Sequence, residues 1–129
     1  MKQMTLHLMA IASGGAMGAL ARYGLTMGLT QWFGRDFPYG TLAANVFGSL
    51  VMGVLYMLLV ERMVFSVEWR GLLMVGFLGA LTTLSTLSLE TVHLMQQAAY
   101  IKAIMNMLLN IGLSLGATVL GVILGRHIL

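Results

Sequence analysis

Cysteine is absent from this chain, so neither a disulfide framework nor a thiolate metal site can organise it. Charge is scarce as well. Asp, Glu, Lys and Arg make up 9% of the 129 residues, too few to cover a soluble globule of that size, against 59% hydrophobic residues and a mean hydropathy of +0.91. The acidic residues Asp36, Glu61, Glu68 and Glu90 lie in loops or near segment ends. That leaves the first apolar segment without the deep carboxylate that a small drug/proton antiporter needs. His7, His93 and His127 are also near segment ends, so no Ser or Thr within a bundle has an evident general base and no enzyme is expected. The seven Lys and Arg sit in loops and ends and do not make a nucleic-acid surface.

What is present is long uncharged sequence. Such runs extend from Phe37 to Val60, Gly71 to Leu89 and Ala103 to Gly125, and a fourth, Gln3 to Ala21, precedes Arg22. Each reaches the roughly 18 residues that read as a spanning helix. The expected fold is an all-α membrane protein with four transmembrane helices in a single domain, residues 1–129. Lys2, the apolar stretch and Ala19-Leu20-Ala21 imitate a secretory leader with its cleavage site. Ser13-Gly14-Gly15 and Gly18 break that stretch with a small-residue spacing that suits helix contact in lipid instead.

Lys and Arg in short loops orient membrane helices. With the N-terminus on one side, Lys2, Arg62, Arg70 and Arg126 share that side, while Arg35 and Lys102 lie opposite with Arg22 close to them. So slight a bias specifies orientation weakly, and a chain that inserts both ways could form an antiparallel dimer with its two-fold axis in the membrane plane.

Several polar residues lie inside the apolar runs. Lys102, Asn106, Asn110, Ser114 and Thr118 recur every four residues and form one stripe along the fourth helix, either interhelical glue or an ion-lining track. Asn45 needs partners for an amide with two N–H donors, and Thr41 stands one turn before it. Arg22 either snorkels outward or forms an electropositive vestibule that draws anions. Glu90 and His93, three apart on one helix face, suit a structural ion pair or a cap better than a metal site.

From Gly76 to Ser88 the chain gathers two glycines and five hydroxyl residues in the middle of a span. Glycine weakens a helix, and Ser and Thr compete for its backbone bonds, so the third helix is expected to break near Gly79 to Thr83, at mid-membrane. Released carbonyl oxygens there could hold a hard cation such as Na⁺. Two antiparallel copies could then surround one ion, whose charge would offset the cost of bringing an anion into low dielectric.

Three segments in order, Gly14-Gly15-Ala16-Met17-Gly18-Ala19-Leu20-Ala21-Arg22-Tyr23, Gly40-Thr41-Leu42-Ala43-Ala44-Asn45, and Gly76-Phe77 through Thr82-Thr83-Leu84-Ser85-Thr86-Leu87-Ser88-Leu89-Glu90, resemble the CrcB/Fluc fluoride channel family. The resemblance implies passive fluoride export across the bacterial inner membrane by an antiparallel, dual-topology homodimer with two pores and a central structural Na⁺. By position it assigns the sodium carbonyls to Gly79 and Thr82, and the fluoride path to Asn45, Ser85, Thr86, Ser114 and Thr118. Two pore phenylalanines of the family correspond to Leu84 and Leu87 here, and Ala80 stands where a second glycine is common. Leucine lacks the positive ring edge that an anion can meet. Three explanations stay open: a natural variant that conducts by its hydroxyls, a subunit that pairs with a phenylalanine-bearing homologue or does not conduct, and an altered sequence with a disabled pore.

Overall fold

The computed structural model describes residues 1–128; Leu129, the last residue of the expected 1–129 domain, lies outside the described residues. Every regular element of the described chain is a helix, with four segments long and apolar enough to cross a membrane. Helix α1 spans Lys2–Phe33 and α2 spans Tyr39–Glu61. The third span, Val67–Gln96, comprises α3 (residues 67–81) and α4 (Leu84–Gln96), and α5 spans Tyr100–Ile128. The connections are short, residues 34–38, 62–66 and 97–99, and Gly34 takes the left-handed φ of 81° that ends α1.

The first helix is longer than its uncharged run. It passes through Arg22 and continues to Phe33, because the guanidinium finds partners within the bundle and does not have to mark a membrane boundary. The last six residues of α2, Tyr56–Glu61, and the stretch Gly71–Leu78 adopt wide π-type turns, a form common where helices carry functional irregularity.

Two glycine contacts set the packing. Gly14 and Gly18 lay α1 directly on α3, where an added Cβ would run into the carbonyls of Leu72 and Phe77, and Gly76 faces them from the other side. Gly53 of α2 and Gly121 of α5 cross in the same way, each against the other helix's backbone. Small residues of this kind let helices approach in lipid, where hydrophobicity cannot drive association. Ala44, Leu78 and Leu81 form the buried apolar centre, and Leu, Ile, Met and aromatic side chains cover the outside. Such an apolar exterior matches a hydrocarbon surround.

The α2/α5 crossing also carries a side-chain bond: Thr118 Oγ1 donates to Ser49 O at 3.3 Å and to Ser114 O at 3.0 Å. Thr118→Val keeps the shape and removes the hydroxyl. It is expected to cost about 0.6 kcal/mol in a detergent unfolding titration, the usual worth of an interhelical bond in membrane proteins.

Candidate functional site

Between α3 and α4 the backbone leaves the helix. Thr82 (φ −83°, ψ 151°) and Thr83 (φ −153°, ψ 126°) are extended, a conformation that β-branched residues accept readily. Thr83 is the N-cap of α4, its Oγ1 accepting the Thr86 N–H at 3.1 Å. Thr82 remains tied to the turn before it, with both its N–H and its Oγ1 donating to Leu78 O.

Side chains from α1 and α2 bond around the extended pair, Arg22 to the residues flanking it and Asn45 to Thr83 itself. Arg22 Nε donates to Ala80 O at 3.1 Å and Nη1 to Thr86 Oγ1 at 3.3 Å, so one guanidinium joins the end of α3 to the first turn of α4. A cation is favourably placed against the carbonyls that close a helix. In this chain Arg22 therefore reaches inward to the junction. Asn45 brackets Thr83: its Oδ1 accepts the Thr83 N–H at 2.8 Å, while its Nδ2 donates to Thr83 O at 3.2 Å and to Asn110 Oδ1 at 2.8 Å. Both of its donors are thereby engaged.

From Asn110 the bonds continue through α5 to α4. Asn110 Nδ2 donates to Asn106 O and Oδ1, Asn106 Nδ2 to Thr91 Oγ1, and Thr91 Oγ1 to Leu87 O. Asn106 and Asn110 are 0% and 2% exposed, so this part of the stripe is interhelical glue. Ser114 differs, because its buried Oγ has no protein partner. Lys102 is exposed near the start of α5.

A groove of about 370 Å³ opens beside this network, with Asn45, Thr82, Thr83, Leu84, Leu87 and Ser114 among the residues lining it. Four residues assigned to the ion path by resemblance, Asn45, Leu84, Leu87 and Ser114, thus meet at one surface. Ser85 sits at its edge, its Oγ 3.4 Å from Thr83 Oγ1, while Thr86 lies under Arg22 and Thr118 one turn beyond Ser114. Leu84 is 74% exposed and Leu87 only 6%, so the two leucines are not equivalent.

Glu90 and His93 do not pair. Glu90 Oε2 accepts from Thr41 Oγ1 at 2.9 Å across to α2, and His93 Nε2 lies 3.1 Å from Gln97 Nε2. The expected ion pair fails because the Glu90 carboxylate turns toward α2. Both Glu90 and His93 line a second cavity of about 760 Å³ with Thr26, Thr30 and Arg35. Sequence spacing places Asn110 in a stripe that could be interhelical glue and Thr41 one turn before Asn45, but it gives no role to Thr83, whose place as cap and as Asn45 partner depends on contacts across helices.

The carbonyls of Gly79 and Thr82 fit a cation. A continuous helix would return the Thr83 N–H to Gly79 O and the Thr86 N–H to Thr82 O. Here the first goes to Asn45 Oδ1 and the second to Thr83 Oγ1, so both oxygens lose their helical donors. Neutral backbone oxygens of an unwound helix are the donor set that suits Na⁺.

Four apolar spans around a buried polar junction define a multi-pass helical membrane protein. A family profile described as CrcB-like protein, Camphor Resistance (CrcB), matches residues 9–122, and the chain belongs to that family. Among similar curated proteins, the Fluoride-specific ion channel FluC of Methylococcus capsulatus is 49% identical over 125 residues, 97% of this chain and 55% of the relative. The chain therefore spans about half the length of that relative. The protein of the same name from Magnetococcus marinus is 46% identical over 118 residues, 92% of this chain and 96% of the relative, and that from Aeromonas salmonicida is 49% identical over 111 residues.

Proposed function

We propose that this protein is a fluoride-selective channel that lets F⁻ leave the cell passively across the bacterial inner membrane. The carrying observation is the family match over residues 9–122 together with relatives named for fluoride conduction. The groove supports it physically. An anion stripped of water needs donors, and Ser114, whose buried hydroxyl has no protein partner, lines the groove together with Thr83, whose Oγ1 is 3.4 Å from Ser85 Oγ.

The working unit in this reading is an antiparallel homodimer in dual topology. The weak Lys and Arg bias is compatible with insertion both ways. Each copy would bring its Gly79 and Thr82 carbonyls to one central structural Na⁺ at mid-membrane. When bound, that ion supplies fixed positive charge near both paths and ties the copies together. Arg22 adds positive charge behind the junction.

The second reading is a subunit that conducts only beside a phenylalanine-bearing homologue, favoured by Leu84 and Leu87 in the groove wall. Purified protein in KF-loaded vesicles, with fluoride efflux followed by a selective electrode, distinguishes them. Efflux well above protein-free vesicles, with chloride retained, is expected for the homodimer. No efflux alone, but efflux after co-assembly with such a homologue, would establish the second reading; silence in both settings would sink fluoride conduction altogether.

A further inference from the structure

The junction has two carbonyls without their helical donors, and a separate side chain takes each donor away. Asn45 Oδ1 holds the Thr83 N–H, which leaves Gly79 O free, and Thr83 Oγ1 holds the Thr86 N–H, which leaves Thr82 O free. Asn45 is 8% exposed and is braced by Asn110, itself locked to Asn106, so its oxygen cannot swing away without breaking the chain of amides. Both Asn45 N–H groups are already engaged, which leaves the side chain no donor for a passing anion.

We propose that Asn45 and Thr83 are positioning residues of the sodium site, each capturing the one N–H that would otherwise close a helical bond onto Gly79 O or Thr82 O. This rests on the sodium reading given above. It assigns Asn45 a role toward the cation, not a direct contact with fluoride, and it gives Thr83 a role where the resemblance gave none. The two captures are distinguishable because the Thr83 N–H shares its peptide plane with the Thr82 carbonyl, so releasing it disturbs both oxygens, whereas releasing the Thr86 N–H bears on Thr82 O alone. Losing either lets its N–H return to the carbonyl it was kept from, and a carbonyl that accepts a hydrogen bond is a poorer ligand for a cation.

The test uses the full chain in lipid vesicles, with the Gly79 and Thr82 carbonyl carbons followed by solid-state NMR while NaCl replaces choline chloride. In the unaltered protein Na⁺ moves both signals. Asn45→Ala is expected to displace both the Gly79 and the Thr82 signals before any Na⁺ is added and to raise the Na⁺ needed at least about tenfold, because the freed Thr83 N–H turns the peptide that also carries Thr82 O. Thr83→Val, which suits the extended backbone, is expected to displace the Thr82 signal and leave the Gly79 resting signal in place. Thr83→Ser keeps the hydroxyl and should match the unaltered protein. If Asn45→Ala does not assemble, the Thr83 pair carries the test. Resting signals that stay put in both variants, or that move together in both, overturn the proposal. Unaltered protein whose carbonyls ignore Na⁺ overturns the sodium site itself and the proposal with it, a result read from that one trace.

Discussion

A valine at Gly18 is expected to prevent the bundle from forming in a stable state. Gly18 is buried on α1, and its missing Cβ leaves the space that the Phe77 carbonyl of α3 occupies, with Ala80 Cβ also 3.1 Å away. Overpacking a well-packed core costs 1–3 kcal/mol when side chains can yield. Here the obstacle is backbone, held in register by the neighbouring contact of Gly14, so a loss above about 3 kcal/mol is expected. The shift also carries Arg22, one turn further along α1, away from Ala80 O and Thr86. Thermal unfolding in mild detergent measures it. Gly24→Val is the control, since an added Cβ there meets nothing within 4 Å, and equal losses from both changes would contradict the packing argument.

The largest expected effect on transport comes from Leu84→Phe. A ring edge is worth about 0.5–1.5 kcal/mol in favourable aromatic contacts, and about 1.4 kcal/mol corresponds to a factor of ten. Fluoride efflux from vesicles should accordingly rise by about two- to tenfold. Leu84 is the position to change first, because it is 74% exposed at the groove and a larger ring meets no wall within the protomer. Leu87 is enclosed, and a phenylalanine there must first displace its neighbours at a cost of about 1–3 kcal/mol. The double change should therefore conduct more than the original yet be less stable than the single one. Unchanged or lower flux from Leu84→Phe would contradict the role given to that edge.

The four spans were legible because uncharged length alone marks them, and short loops followed from how little sequence joins them. Their ends were not. Arg22 ended the first uncharged run, yet the helix runs on to Phe33, since a charge can lie inside a bundle when carbonyl and hydroxyl partners meet it there. The polar stripe of α5 was visible from its four-residue spacing. Spacing could not show that Asn106 and Asn110 turn into a closed ladder while Ser114 keeps a free hydroxyl, because that division depends on Thr91 and Asn45, residues 15 and 65 positions away from their partners. Glu90 illustrates the same limit. Its neighbour in sequence suggested a local pair, whereas its partner Thr41 lies 49 residues earlier on another helix.

The side chains that bond around the bend come from Arg22, on Ala80 O and Thr86 Oγ1 to either side of it, and from Asn45, on Thr83 itself, and both precede it in the chain. During synthesis the polar elbow thus emerges into a bilayer that already holds the groups able to receive it. Asn110, the brace behind Asn45, is made last, so the final helix acts as a latch that fixes an arrangement the first three have already assembled.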